Sequence, residues 1–119
     1  MKIRADFVTN SSSVSYILTM KEEMVKIMRE LVSNQKKPLY DALVALIRNG
    51  ERVNVCGEEV LCRRIKFNTD EQVGEEEIEN PPDYGNMPID DLMPYIYSYI
   101  LNGKLPELMM FGATQVDTF

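Results

Sequence analysis

The sequence predicts an α+β protein in which a mainly antiparallel sheet carries about three helices on one face. Apolar and polar side chains alternate in residues 3–7 and 14–18, and again in two runs between residues 51 and 67, which indicates strands. Apolar residues at steps of three and four indicate three helices, in residues 20–31, 39–47 and 92–101. With 119 residues, 45% of them hydrophobic, the chain is predicted to form one domain, residues 1–119.

The first predicted element is a hairpin made by the two alternating runs of residues 1–18. Between those runs, Asn10 to Ser13 favour a turn because their side chains bond to their own backbone. Residues 3–17, IRADFVTNSSSVSYI, resemble an N-terminal signature of small proteins from bacteria and their phages, and depart from it at Val14 and Tyr16. The resemblance implies an origin and no mechanism. Its motif positions are Phe7, Asn10, Ser11, Ser12 and Ser13.

Three interpretations of that serine-rich motif stay open. It is a polar turn, a tag that another protein recognises, or a modification or anion-binding site. A turn needs one or two such residues, whereas Thr9 to Ser13 supplies five polar side chains. We therefore hypothesise that the motif has a role outside the stability of the domain.

The first helix is predicted to begin with a capping box formed by Thr19 and Glu22. It should end near Val32 or Ser33. Its predicted core stripe consists of Met20, Met24, Ile27, Met28 and Leu31.

The second helix should start at Pro38 and end at Asn49-Gly50 with a left-handed stop. Its predicted inward face consists of Leu39, Tyr40, Leu43, Leu46 and Ile47. A third helix should begin between Ile89 and Pro94 and end at Asn102-Gly103. Its apolar side chains cover more than one face, which indicates either a central core helix or a helix that holds Tyr97 and Leu101 outward for a partner.

A second hairpin is predicted over residues 51–67, closed by Gly57-Glu58. In that register Val55 faces Val60 and Val53 faces Cys62. Cys56 and Cys62 are expected to be free thiols. Basic residues on the same run, Arg63, Arg64 and Lys66, form either a solvated sheet face or a patch that contacts phosphate. A last strand is predicted over Leu108 to Val116, with Gly112 as a bulge.

Charge is divided unevenly between the two halves of the chain. Residues 1–66 hold 12 bases and 8 acids, a balance of +4, and residues 67–119 hold 1 base and 11 acids, a balance of −10. Residues 68–88 are predicted to form a long exposed acidic loop, shortened by any helical turn near 72–78. Its length is a weak indication of a functional role. The overall charge of −6 disfavours direct binding to nucleic acid.

The chemistry of the chain is limited by the residues it lacks. Without histidine, the common catalytic triads and most zinc sites are excluded. The sequence has no glycine-rich phosphate loop and no calcium loop, so no cofactor is predicted, although the cluster of residues 75–79 has the oxygen ligands of a weak cation site. No apolar run reaches the ~20 residues of a membrane span, and we expect a cytoplasmic protein that binds no membrane.

Two hypotheses of function follow. In the first, a non-enzymatic interaction module engages a basic protein surface, as an inhibitor or a mimic of nucleic acid does. In the second, a carboxylate-dependent enzyme or enzyme subunit binds an anionic substrate at the serine-rich turn. A convex acidic ridge favours the first and a pocket with converging carboxylates favours the second. The partner-binding residues predicted for the first hypothesis are Glu75, Glu76, Glu77, Glu79, Tyr97 and Leu101.

Overall fold

The computed structural model describes residues 13–116, apart from the side chain of Glu75, and shows an α+β fold. Four strands form one antiparallel sheet in the order β2-β3-β1-β4. Together with four helices they occur in the chain as β1 (Ser13–Met20), α1 (Val25–Leu31), α2 (Lys37–Arg48), β2 (Glu51–Val55), β3 (Glu58–Asn68), α3 (Glu75–Glu79), α4 (Ile89–Leu101) and β4 (Gly112–Val116). The predicted fold class is confirmed.

Strand β1 lies inside the sheet. It pairs with β3 along its whole length and with β4 from Ser15 to Thr19. Both edges of β1 are therefore occupied from Ser15 to Thr19. The sequence predicts that residues 1–18 form a hairpin. The other strand of that hairpin lies outside the described residues. So do four of the five motif positions, namely Phe7, Asn10, Ser11 and Ser12.

The core lies between one face of the sheet and helices α2 and α4. Alternate residues of β1 and β3 are buried on this face because paired strands share their side-chain direction. They are Tyr16, Leu18, Met20, Leu61, Ile65 and Phe67. The predicted inward face of α2 is confirmed at four positions, Leu39, Tyr40, Leu43 and Ile47, and Leu46 is half-buried. The intervening residues, Ser13, Ser15, Ile17 and Thr19 of β1 and Cys62, Arg64 and Lys66 of β3, point to the opposite face of the sheet, which we call the open face.

The start of the first helix differs from the prediction. Thr19 does not cap a helix but belongs to β1, and a 3-10 turn with Lys21 at its N-cap and no side-chain cap precedes α1. β1 continues to Met20 because its pairing with Leu61 buries both side chains. Pairing within the sheet thus outweighs a local capping signal.

The predicted core stripe of this helix is wrong at two positions, whereas Met20 is buried in β1 and Met28 packs, half-buried, against the core. Ile27 and Leu31 are 60% and 61% exposed, and no residue of α1 is buried. The side of α1 that meets α2 carries Val25, whose carbonyl accepts a hydrogen bond of 2.7 Å from the Tyr40 hydroxyl. Because β1 continues to Met20, α1 begins only at Val25. The face of α1 that meets α2 is therefore not the face with Ile27 and Leu31 that the sequence predicts.

The hairpin of β2 and β3 has another register than the predicted one. Val55 pairs with Glu58, and the turn residues are Cys56 and Gly57, with φ of 52° and 85°. Two consecutive positive φ angles are the mark of a type I′ turn, whose twist suits a hairpin. The Gly57 amide also donates to the Asn54 side chain at 3.0 Å. Both cysteines are free thiols, as predicted.

The two glycine stops differ from each other. Gly103 has φ of 66° after α4 and is the left-handed stop that the sequence predicts. Gly50 is not left-handed. A Cβ atom there would lie 2.1 Å from the Cys62 carbonyl oxygen, so a glycine lets α2 turn directly into β2 beside β3.

The last strand is shorter than the predicted one. β4 begins only at Gly112, which pairs with Thr19 in regular register and forms no bulge.

Candidate functional site

The acidic segment, residues 70–83, is held against helix α4 and is not the open loop that the sequence predicts. Its amide at Val73 donates to the Ser98 hydroxyl at 3.0 Å, and Ser98 is itself buried. Ile78, within α3, is buried against the core, and so is Tyr84 just after the segment. The Tyr84 ring packs on Tyr95 of α4 at 5.2 Å between centroids. These contacts fix the backbone that carries the carboxylates.

The carboxylates of the segment face solvent. None of those that the structure describes forms an ion pair within residues 13–116, and no Lys or Arg occurs between residues 67 and 103. Burial raises the pKa of Tyr95, and the negative charge of the Glu77 carboxylate raises it further. Exposed carboxylates with a described position are Asp70, Glu71, Glu76, Glu77, Glu79 and Asp83.

The first turn of α4 extends this group. Asp90 and Asp91 are exposed there, where carboxylates are stabilised by the helix dipole, and Ile89 beside them is 40% exposed. Asp91 lies one helical turn before Tyr95, whose pKa the Glu77 carboxylate also raises. We call the eight described carboxylates of residues 70–91 the acidic surface. Sequence reasoning missed Asp90, Asp91 and Ile89, although fixing the start of α4 at Ile89 would have shown that both acids face outward.

The two predicted contact residues on α4 have opposite positions. Tyr97 is 5% exposed and its ring stacks on Phe67 at 5.3 Å, so the alternative in which Tyr97 faces a partner is wrong. Leu101 is 45% exposed, one turn beyond the Ser98 contact with the acidic segment. Of the six predicted partner-binding residues, four have side chains exposed to solvent, namely Glu76, Glu77, Glu79 and Leu101. For Glu75, the structure describes only the backbone, at the start of α3.

Four other carboxylates line a concavity of about 240 Å³ where the hairpin meets the turn before α1. Each is joined to a base. Lys21 binds Glu58 and lies 3.7 Å from Glu23, while Arg48 binds Glu22 at 2.8 Å. Arg52 binds Glu59 at 3.0 Å. The arrangement links three parts of the chain, and we interpret it as structural.

Residues 13–116 contain no group of three or more acidic or cysteine side chains placed to hold a metal ion. Among the helices of that same range, none has the length and apolar character needed to cross a membrane. No known protein family, curated protein or solved structure gives a significant match to the chain. The resemblance of the N-terminal motif therefore stays a prediction.

Proposed function

We propose that this protein is a non-enzymatic interaction module whose acidic surface binds a basic surface of another protein. The observation that carries the proposal is the anchoring of the acidic segment by Val73, Ile78 and Tyr84. A carboxylate cluster on a mobile loop loses conformational entropy when it binds. Here that cost is reduced, because the backbone is already fixed against α4.

The electrostatics of the surface support the same proposal. Like charges on neighbouring side chains repel, and no base of the described chain neutralises them. A partner that brings lysine and arginine side chains relieves this repulsion and gains rate through electrostatic steering. Exposed apolar side chains at the edges of the surface, Ile89 and Leu101, offer the partner a non-polar contact.

The kind of partner follows from the charge pattern. A row of fixed carboxylates resembles the phosphates of a nucleic acid in sign and in hydrogen-bond accepting character. We propose that the basic surface is one that otherwise binds nucleic acid, so that the protein acts as an inhibitor by mimicry. A bacterial or phage origin, which the N-terminal resemblance implies, agrees with such a role.

The test uses a fluorescent oligo-arginine peptide as the basic probe, with anisotropy as the readout. Changing Glu75, Glu76, Glu77 and Glu79 to Gln should weaken binding at least about fivefold at low salt. For the parent protein, binding should weaken steeply as ionic strength rises toward 0.15 M, where the screening length is about 8 Å. The variant should depend less on salt.

A matched control variant has the same change in net charge, made outside the acidic surface. It replaces Glu23, Glu30, Glu51 and Glu59 by Gln, all exposed and outside the acidic surface. The control should keep most of the affinity, because binding depends on the position of the charges. If both variants lose affinity equally, net charge alone explains binding and the proposed surface is wrong.

A further inference from the structure

We propose that the open face of the sheet binds a phosphomonoester, whose phosphate group is held by Ser13, Ser15, Arg64 and Lys66. This site is separate from the acidic surface and does not rest on the function proposed above. Here two cations and two hydroxyls share one concavity, of about 450 Å³.

The register of β1 and β3 brings these four side chains together. Ser15 is paired with Lys66, so both point to the same face with their Cβ atoms about 5 Å apart. Arg64 lies two residues before Lys66 on β3, about 7 Å along the strand and on the same face. Ser13 stands two residues before Ser15. Because the strands are antiparallel, Ser13 and Arg64 lie on opposite sides of the Ser15–Lys66 pair, about 14 Å apart along the strands. The long side chains of Arg64 and Lys66 can reach a phosphate group held over Ser15.

The two cations differ in their contacts from most others in residues 13–116. Six of the eleven Lys and Arg residues in that range form ion pairs. Lys37 and Arg63 donate to backbone carbonyls. Within the described range, Arg64, Lys66 and Lys26 have neither kind of partner. Two of these three occupy neighbouring positions on one strand face beside Ser15, which is only 4% exposed.

The chemistry of the four side chains suits a phosphate dianion. An arginine offers two parallel N–H donors to phosphate oxygens, and a lysine adds a compact positive charge. Serine hydroxyls donate to the remaining oxygens. A carboxylate ligand has only two oxygens and would leave part of this donor set without acceptors.

A second concavity, of about 470 Å³, adjoins the first and shares Arg64 with it. It is lined also by Ile17 and Cys62 of the open face and by the backbone where α2 turns into β2. These walls also include Glu51 and Arg63, and on balance they are more apolar than the phosphate patch. They fit the organic part of a small molecule whose phosphate lies at Arg64 and Lys66.

A small molecule fits this face better than a nucleic acid does. The concavities have the size of ordinary small-molecule sites, about 300–1,000 Å³. Binding to a nucleic acid depends on neutralising many phosphates, and the chain carries a net charge of −6 with two cations at this site. The expected ligand is therefore one phosphate on an organic group.

The experiment is a titration of the whole chain with phenyl phosphate, followed by backbone amide chemical shifts at constant ionic strength. We expect saturable shifts at Ser15, Ile17, Arg64 and Lys66, and weaker binding of inorganic phosphate, which lacks the organic part. Shifts that grow linearly without saturation, or that appear across the surface, would overturn the proposal. This measurement on the parent protein does not depend on whether any variant folds.

Variants supply the second arm. Arg64→Gln and Lys66→Gln should each weaken phenyl phosphate binding about tenfold, whereas Lys26→Gln, a cation on α1, should leave it unchanged. Equal loss in all three would show general charge attraction and reject the site. Preferential binding of a single-stranded oligonucleotide, with a steep dependence on salt, would show a nucleic-acid surface and reject the phosphomonoester.

Discussion

Helices α4 and α1 both carry apolar side chains at helical spacing, over more than one face of α4 and as a single stripe on α1, and only α4 is buried in the fold. α4 buries six residues between the sheet and its neighbours, and α1 buries none. The difference comes from what each helix packs against. α4 lies on the sheet and also supports the acidic segment, whereas α1 contacts α2 on one side and leaves Ile27 and Leu31 in solvent. An amphipathic pattern shows that a helix has an apolar side, and the neighbouring layers decide whether that side is covered.

The largest expected effect is in α4. Ile96→Ala should lower the free energy of unfolding by about 2–5 kcal/mol, because Ile96 is fully buried and the missing side chain leaves a cavity. Denaturant unfolding followed by circular dichroism measures the change. A loss below about 0.5 kcal/mol would contradict the central position of α4.

A smaller effect of opposite sign is expected at two tyrosines. The buried hydroxyls of Tyr84 and Tyr99 lie beside each other, and Lys36 lies beside Tyr99, but among residues 13–116 neither hydroxyl has a partner within 3.5 Å in good hydrogen-bonding geometry. A buried donor without a partner costs about 1–3 kcal/mol, so replacing both by Phe should stabilise the protein by an amount up to that range. Thermal unfolding of the double variant tests this. A clear destabilisation would show that the hydroxyls are satisfied.

The same tyrosines predict a dependence on alkaline pH. Burial raises the pKa of Tyr84, Tyr99, Tyr40, Tyr95 and Tyr97, which lie in α2, in α4 or just before α4 and not in α1. Above the unfolded value of about 10, the folded state holds more protons than the unfolded state, so stability falls as pH rises. The slope is about 1.4 kcal/mol per pH unit for each tyrosine that stays protonated.

This dependence is measured by unfolding the parent and the double Phe variant between pH 9 and pH 11, on either side of the ordinary tyrosine pKa of about 10. The variant should lose less stability with rising pH, since two of the five groups no longer titrate. Parallel curves for the two proteins would contradict the burial of Tyr84 and Tyr99.

The smallest effect is expected in α1. Ile27→Ala removes the same atoms as Ile96→Ala but from an exposed position, and should change stability by less than about 0.5 kcal/mol. Both variants are measured by the same unfolding experiment. A loss at Ile27 close to that at Ile96 would mean that α1 is covered in solution, and the contrast between the two helices would not hold.

The sequence predicts much of the fold because local patterns decide it. The period of two in residues 14–18 and 60–67 and the stripe from Leu39 to Ile47 each lead to the observed element. The predictions fail where the conformation of a residue depends on a contact with a residue far away in the sequence. Thr19 joins β1 because β3 and β4 pair with it, and Tyr97 turns inward because Phe67 lies beneath it.

The candidate site could be predicted only in part, for the same reason. The run of acids in residues 70–83 is visible in sequence, but its anchoring depends on Ser98 and Tyr95, which lie on a later helix. The pairing of Ser15 with Lys66 likewise requires the register of β1 and β3. Composition indicates which charges exist, whereas strand register and helix packing determine which of them meet.

The position of β1 has a consequence for the order of folding. Its two neighbours, β3 and β4, are both synthesised after it, and β4 follows only after all four helices. A chain emerging from the ribosome therefore holds β1 with unpaired backbone groups until residues 112–116 have left the exit tunnel. Contacts between segments so distant in sequence also slow folding. Until β4 has been made and has paired, the edge of β1 that β4 covers is open to wrong pairing and to chaperone binding.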